Sequence, residues 1–186
     1  MTGINASNIS PLATLPGANI FLIGFMGSGK SHWGKIWAEA NQLTFIDLDE
    51  MIENKEGSSI ASIFETHGED HFRRVEAEAL RSCADLQNTI VACGGGTPCF
   101  HENMRWMNDH GLTIYIASTA EEILQRVLNE KEKRPLLKKL NEQELLLFIN
   151  QKVKERAPFY ELANVTVQSG LLDERSLPSI ISINTI

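Results

Sequence analysis

The residues best equipped for chemistry stand close together in the octapeptide GFMGSGKS, from Gly24 to Ser31. It satisfies the pattern G-x-x-x-x-G-K-[ST] through Gly24, Gly29, Lys30 and Ser31. Glycines at that spacing let consecutive backbone N–H groups curl around an anion without Cβ clashes. The lysine brings a charge able to reach the β- and γ-phosphates of a nucleotide, and the serine hydroxyl can ligate Mg2+. The chemistry implied is the holding of a nucleoside triphosphate by Gly27, Ser28, Gly29, Lys30, Ser31 and His32. A plain glycine-rich turn is the alternative. It leaves the context unexplained: an apolar run, Ile20-Phe21-Leu22-Ile23, precedes the loop and a helix-forming stretch, KSHWGKIWAEA, follows it. The N-terminus of that helix would add a partial positive charge beside the phosphates. Nothing in the loop names the acceptor.

Five other stretches bear on the acceptor. In FIDLDEMI, Asp47 and Asp49 are two apart and share one face of an extended backbone. Ligands of open parallel sheets sit beyond the carboxyl ends of the strands, where these two carboxylates fall. One could hold Mg2+ through water and the other could accept a proton from a sugar-like hydroxyl; helix capping by Asp49 is the competing reading. In GEDHFRRVEAEAL, Phe72, Val75, Ala79 and Leu80 form an apolar stripe at 100° per residue. Glu76 falls inside it, Arg73 lies at its edge and Arg74 points away. A core-facing carboxylate needs a partner, and Arg73 is three residues earlier. Glu76 then orients Arg73, whose remaining donors suit a carboxylate ligand; taken alone, the pair could equally be a surface ion pair. VACGGGTP ends a strand with Gly94, Gly95 and Gly96, which let the backbone pass close to a ligand, unless this is a simple loop.

The fourth stretch, KEKRPLLKK, covers residues 131–139 and is densely cationic. Pro135 stops regular structure directly after Arg134. The segment suits a lid that brings an arginine onto a transferring phosphoryl group, whereas Lys131, Lys133, Lys138 and Lys139 read as a solvated charge run. Further on, INQKVKERAPFYELA places Arg156 on the stripe of Leu145, Ile149 and Val153, which favours a pocket for its guanidinium. Lys152 shares that stripe and weakens the inference.

These groups must be carried by a scaffold. Apolar runs near 19–24, 43–47, 89–93, 113–117 and 164–168 read as strands covered on both faces, since none alternates cleanly. Helical patterns near 30–40, 50–66, 69–84, 102–109, 119–130 and 142–156 separate them, so the fold class is α/β with right-handed crossovers and a parallel sheet. Residues 1–18 read as a flexible N-terminal extension without signal-peptide features, and 19–186 as a single domain. The 186-residue chain is 42% hydrophobic and 22% charged, ordinary for a globular protein. Its net charge of -7 argues against a general binder of nucleic acid or membrane surfaces, and no run is long enough to span a bilayer. Cys83, Cys93 and Cys99 lack metal-ligand spacing and read as reduced thiols of a cytoplasmic protein.

GFMGSGKS, DLDEMI, IFETHGEDHFRRVEAEAL, CGGGTP, RPLL and ERAPFYELA occur here in the order in which the shikimate kinase family carries its motifs. From about Ile20 to Val167 the chain resembles that family. The resemblance implies a three-layer α/β/α P-loop fold of the nucleoside monophosphate kinase type. It has a central five-stranded parallel sheet, a substrate-binding segment at about 48–84 and a lid at about 128–141. It also implies Mg2+-dependent transfer from ATP to the 3-hydroxyl of shikimate, on the route to chorismate and the aromatic amino acids, by a monomer with ATP and shikimate as its partners. On that likeness Lys30 is the phosphate-binding lysine, while Ser31 and Asp47 attend the metal. Asp49 grips the shikimate hydroxyls and is the candidate base. Arg73, Arg156 and the Gly94–Gly96 backbone hold the shikimate carboxylate, and Glu76 orients Arg73. Arg134 is the lid arginine, and Arg126 stacks on adenine. Cys93 departs from the family's usual Thr or Ser, and His32 from its usual Thr. A gluconate kinase-like enzyme and a non-catalytic nucleotide-binding regulator are the rival readings.

Overall fold

The structure, a computed structural model, describes residues 17–129 and 140–183. Five strands form one parallel sheet: β1 (Asn19–Ile23), β2 (Thr44–Asp47), β3 (Thr89–Ala92), β4 (Gly111–Ala117) and β5 (Val165–Gln168), in the order β2-β3-β1-β4-β5. Helices α1 (Lys30–Asn41), α2 (Leu48–Glu56), α3 (Ile60–Arg81), α4 (Asn103–His110), α5 (Ala120–Asn129), α6 (Glu142–Tyr160) and α7 (Ser176–Ile183) cover it. β1 pairs with β3 on one side and β4 on the other, with Phe21 opposite Val91 and Thr113. The chain runs to one side of β1 for β2 and β3 and to the other for β4 and β5. The strand order thus switches direction at β1, whose carboxyl end is where such sheets bind ligands.

The unbroken apolar run of β1 has a direct cause. Phe21 and Ile23 enter one core cluster, with Leu48, Ile52, Phe72, Leu80 and Ile149; Ile20 and Leu22 enter the other, with Trp37, Leu177 and Ile181. Every residue of β1 is buried because both faces of the sheet are roofed by helices. No helix among the described residues is long and apolar enough to cross a membrane.

Three parts of the chain differ from the sequence reading. The helix expected over 50–66 is two helices. α2 ends at Gly57 (φ 64°), and α3 restarts after Ser59, whose side chain accepts the Ser62 N–H at 3.2 Å. The expected break between 66 and 69 is present as Gly68, with φ 79° and ψ 173° inside α3. α6 continues past Pro158 to Tyr160. The proline sits close enough to the helix end that only the Lys154 carbonyl loses a helical partner. α7 was not expected from SLPSIISI; Leu177, Ile180 and Ile181 bury there against the α1 side of the sheet.

Candidate active site

Beyond the carboxyl end of β1 the loop 24–29 turns sharply, and Gly24 shows why glycine is required. Its φ is 143°, and a Cβ would lie 2.6 Å from the Ile116 carbonyl oxygen of β4. α1 starts at Lys30 after Gly29 (φ 100°) with no side chain capping its first turn and no acidic residue in it. Its amide donors are left for an anion. Lys30, only 9% exposed, reaches back over the loop: Nζ donates to the carbonyls of Gly24 and Phe25, each at 2.9 Å. A cleft of about 470 Å3 opens here, walled by Gly27, Gly29, Lys30, Ser31, His32, Asp47, Asp49, Gly95 and Arg126, and also by Met26, Trp33, Cys93 and Ser169. Ser28 is fully buried under the loop, its N–H donating to the Phe25 carbonyl at 3.1 Å.

Asp47 and Asp49 do not lie on one extended strand, because β2 stops at Asp47. Asp47 is the N-cap of α2, its Oδ1 accepting the Asp49 N–H at 3.1 Å, and its Oδ2 accepts the Ser31 hydroxyl at 2.6 Å. One carboxylate therefore ties the start of α1 to the start of α2. The cap expected as the alternative role for Asp49 is filled by Asp47, and Asp49 is left in the first turn of α2, in the cleft wall. Burial raises its pKa from 3.8 to about 6, the carboxylates of Asp47, Glu76 and Glu53 add to the rise, and Lys30 opposes it.

The second cluster surrounds the glycine triplet. Arg73 and Glu76 are buried and Arg74 is exposed. Arg73 Nη1 donates to Glu76 Oε2 at 2.8 Å, and Glu76 Oε1 accepts the Thr97 hydroxyl at 2.6 Å. The guanidinium lies over the Phe100 ring at 4.3 Å and the Phe72 ring at 5.0 Å. Each glycine leaves room for a charged group. A Cβ on Gly94 would lie 3.0 Å from both Asp49 Oδ1 and Glu76 Oε1, one on Gly95 3.3 Å from Arg156 Nη1, and one on Gly96 2.7 Å from Nη1 and Nη2 of Arg73. None of the three has positive φ. They are needed for space, not for backbone freedom. Asp49, Glu76, Arg73 and Arg156 thus converge on three residues of passing backbone. Arg156 also lies over the Phe25 ring at 5.4 Å, while Lys152 turns outward to Glu155 at 2.7 Å.

The sequence and the fold both match known proteins. A family model for shikimate kinase matches residues 26–182. The chain belongs to the shikimate kinase family. It is 38% identical over 156 residues to the shikimate kinase of Phocaeicola vulgatus, covering 84% of this chain and 89% of that one. To that of Azobacteroides pseudotrichonymphae it is 42% identical over 147 residues, covering 78% and 86%. The crystal structure of shikimate kinase from Bacteroides thetaiotaomicron superposes with a TM-score of 0.81 at 34% identity, covering 90% of this chain and 94% of the other. The Acinetobacter baumannii shikimate kinase, solved in complex with shikimate, gives 0.79 at 33%, covering 92% and 94%. A gluconokinase from Sinorhizobium meliloti, at 17% identity and 0.55, shares the fold alone. The chain is accordingly an ATP-dependent kinase, a transferase of the shikimate pathway.

Glu69, Tyr160 and Trp33 escaped sequence reading, and Arg126 and Cys93, both singled out there, make further contacts. Glu69 accepts from Arg73 Nε at 3.2 Å and Nη2 at 2.9 Å; its place four residues before Arg73 was the available signal. Tyr160, fully buried, donates its hydroxyl to the Gly95 carbonyl, and burial pushes its pKa up. Arg126 Nη1 donates to the Gly27 carbonyl at 2.9 Å, and Nη2 to Ser169 Oγ at 3.3 Å. Trp33 presses its indole against Gly29 and stacks on the fully buried Trp37, with ring centroids 6.0 Å apart and planes 25° apart; Trp37 Nε1 in turn donates to the Asp173 carbonyl at 2.8 Å. Cys93 contacts Met107 Sδ at 3.6 Å, and burial raises its thiol well above the ordinary value, so it enters the cleft wall uncharged. Arg134, residues 130–139 of the expected lid and residues 1–16 of the expected extension lie outside the described residues.

Proposed function

We propose that this chain transfers the γ-phosphoryl group of ATP to the 3-hydroxyl of shikimate, giving shikimate 3-phosphate and ADP. The observation that carries this reading is the convergence of three groups at one end of the sheet. A phosphate loop, a carboxylate with a raised pKa and a caged guanidinium serve an acceptor bearing both hydroxyls and a carboxylate. The amides of 27–32 and Lys30 hold the phosphates, and Arg126 with Ser169 faces the base. Arg73, Arg156 and the backbone of Gly94–Gly96 hold the acceptor's carboxylate, with Glu76 fixing Arg73. Asp49 accepts hydrogen bonds from the acceptor hydroxyls. As the 3-oxygen bonds to phosphorus and the bond to the β-phosphate oxygen breaks, its proton passes to an Asp49 oxygen. A pKa near 6 keeps Asp49 ionised at neutral pH and close enough to it to take that proton. Arg134 stabilises the transferring group.

The residues present also fit Mg2+. Ser31 Oγ and Asp47 Oδ2 are two hard oxygen donors 2.6 Å apart in the cleft wall, and Mg2+ prefers one or two such protein groups completed by phosphates and water. When bound it neutralises charge on the β- and γ-phosphate oxygens.

The test is ADP release from ATP with shikimate, with gluconate, or with neither. Release that depends on shikimate is expected. Release that depends on gluconate, or on no acceptor, overturns the reading.

A further inference from the structure

We propose that Glu69 is an exchangeable carboxylate: it occupies the Nε–Nη2 edge of Arg73 until the acceptor's own carboxylate displaces it. This rests on the acceptor assigned above. Arg73 carries one positive charge and is bound by two carboxylates, Glu76 through Nη1 and Glu69 through Nε and Nη2. With Arg156 counted, an anionic acceptor arriving here would meet two arginines already matched by these two carboxylates, with Asp49 beside them. One of the two carboxylates must leave for the acceptor to gain a full ion pair.

The structure decides which. Glu76 has 1% of its side chain exposed and its other oxygen is held by Thr97, so releasing it would strand a buried charge. Glu69 is 55% exposed and returns to water at little cost. It also has a second resting place. Gly68, with φ 79° and ψ 173°, interrupts α3 just before it, so Glu69 stands in the first turn of the helical part that follows, where the positive end of the backbone dipoles favours a carboxylate. Arg73 itself does not follow Glu69, because it is pinned over Phe100 and Phe72. The Nε–Nη2 edge is the paired-donor edge that receives a planar carboxylate. Glu69 is therefore an internal copy of the acceptor's anionic group. A polyol without a carboxylate cannot displace it, so the exchange contributes to acceptor selection.

The test is calorimetric titration of shikimate into wild type, Glu69→Gln and Glu69→Ala, beside steady-state kinetics and thermal melts. Both variants are expected to bind shikimate about three- to fivefold more tightly, the range of an exposed ion pair, with the KM for ATP unmoved. Unchanged or weaker binding in a folded variant, with wild type active, overturns the exchange and makes Glu69 an orienting partner only. A wild type that neither binds nor phosphorylates shikimate overturns the function reading, and this proposal with it. The Ala variant keeps the test decisive should Gln still hold the guanidinium through its amide oxygen.

Discussion

At the scale of single residues, Lys30 and Asp49 carry the sharpest expectations. Lys30→Met removes the charge that spans the loop, and a lost electrostatic stabiliser of this kind costs roughly 10²–10³ in turnover. Steady-state kcat, with a melt to verify folding, measures it. Asp49 is held in a place that penalises its ionised form, with a folded pKa of about 6 against 3.8 unfolded. The native state thus binds the proton more tightly. The destabilisation is absent below pH 3.8, grows as pH rises, and is complete above about 6, amounting to at most about 3 kcal/mol. Asp49→Asn should therefore raise Tm at pH 7.5, and the gain should shrink as pH falls through 6 toward 4. The same change should lower kcat/KM for shikimate by roughly 10²-fold or more, and the wild-type rate should fall on an acid limb near pH 6. A Tm gain that ignores pH would show that Asp49 is not strained by its charge. Arg73, Arg74 and Glu76 were legible in the sequence, because helical periodicity fixes which face each occupies. Glu69 was overlooked, although it stands four residues before Arg73 in the same helical run, after Gly68, and that spacing puts the two side chains on one face.

At the scale of elements, the glycine triplet after β3 behaves as a mould for side chains. Gly96→Ala places a methyl 2.7 Å from both terminal nitrogens of Arg73. An arginine tip ordinarily swings aside, but this one is held by Glu76, Glu69 and Phe100. The expected result is a KM for shikimate raised by an order of magnitude or more, with the KM for ATP and the Tm close to wild type, read by varying each substrate in turn; equal damage to both KM values would refute the mould. The strands were legible because continuous apolar runs mark a sheet buried on both faces. The start of α2 was not: in D-L-D either aspartate can cap, and only the hydroxyl of Ser31, brought across from α1, selects Asp47.

At the scale of the whole molecule, the two faces of the sheet divide the work. The face toward α2, α3 and α6 carries the groups proposed to hold the acceptor, whereas the face toward α1 and α7 is packed by Trp37, Leu22, Leu177 and Ile181. Leu177→Ala, at a fully buried position of α7, should cost about 2–5 kcal/mol of stability while leaving both KM values near wild type, as denaturant titration and kinetics would report. α7 was missed because a short helix opening with Ser-Leu-Pro has no repeat long enough to show a period; its need arises from the exposed face it covers. That arrangement also gives the protein an optical character. Trp33 stands in the cleft wall, and its stacked neighbour Trp37 is locked through Asp173 to the chain just before α7. Two indoles at that separation couple their electronic transitions, one ring fixed and the other bordering the cleft. Filling the cleft changes the surroundings of one member of the pair only, so the ultraviolet emission and the circular dichroism of the unlabelled protein register occupancy directly.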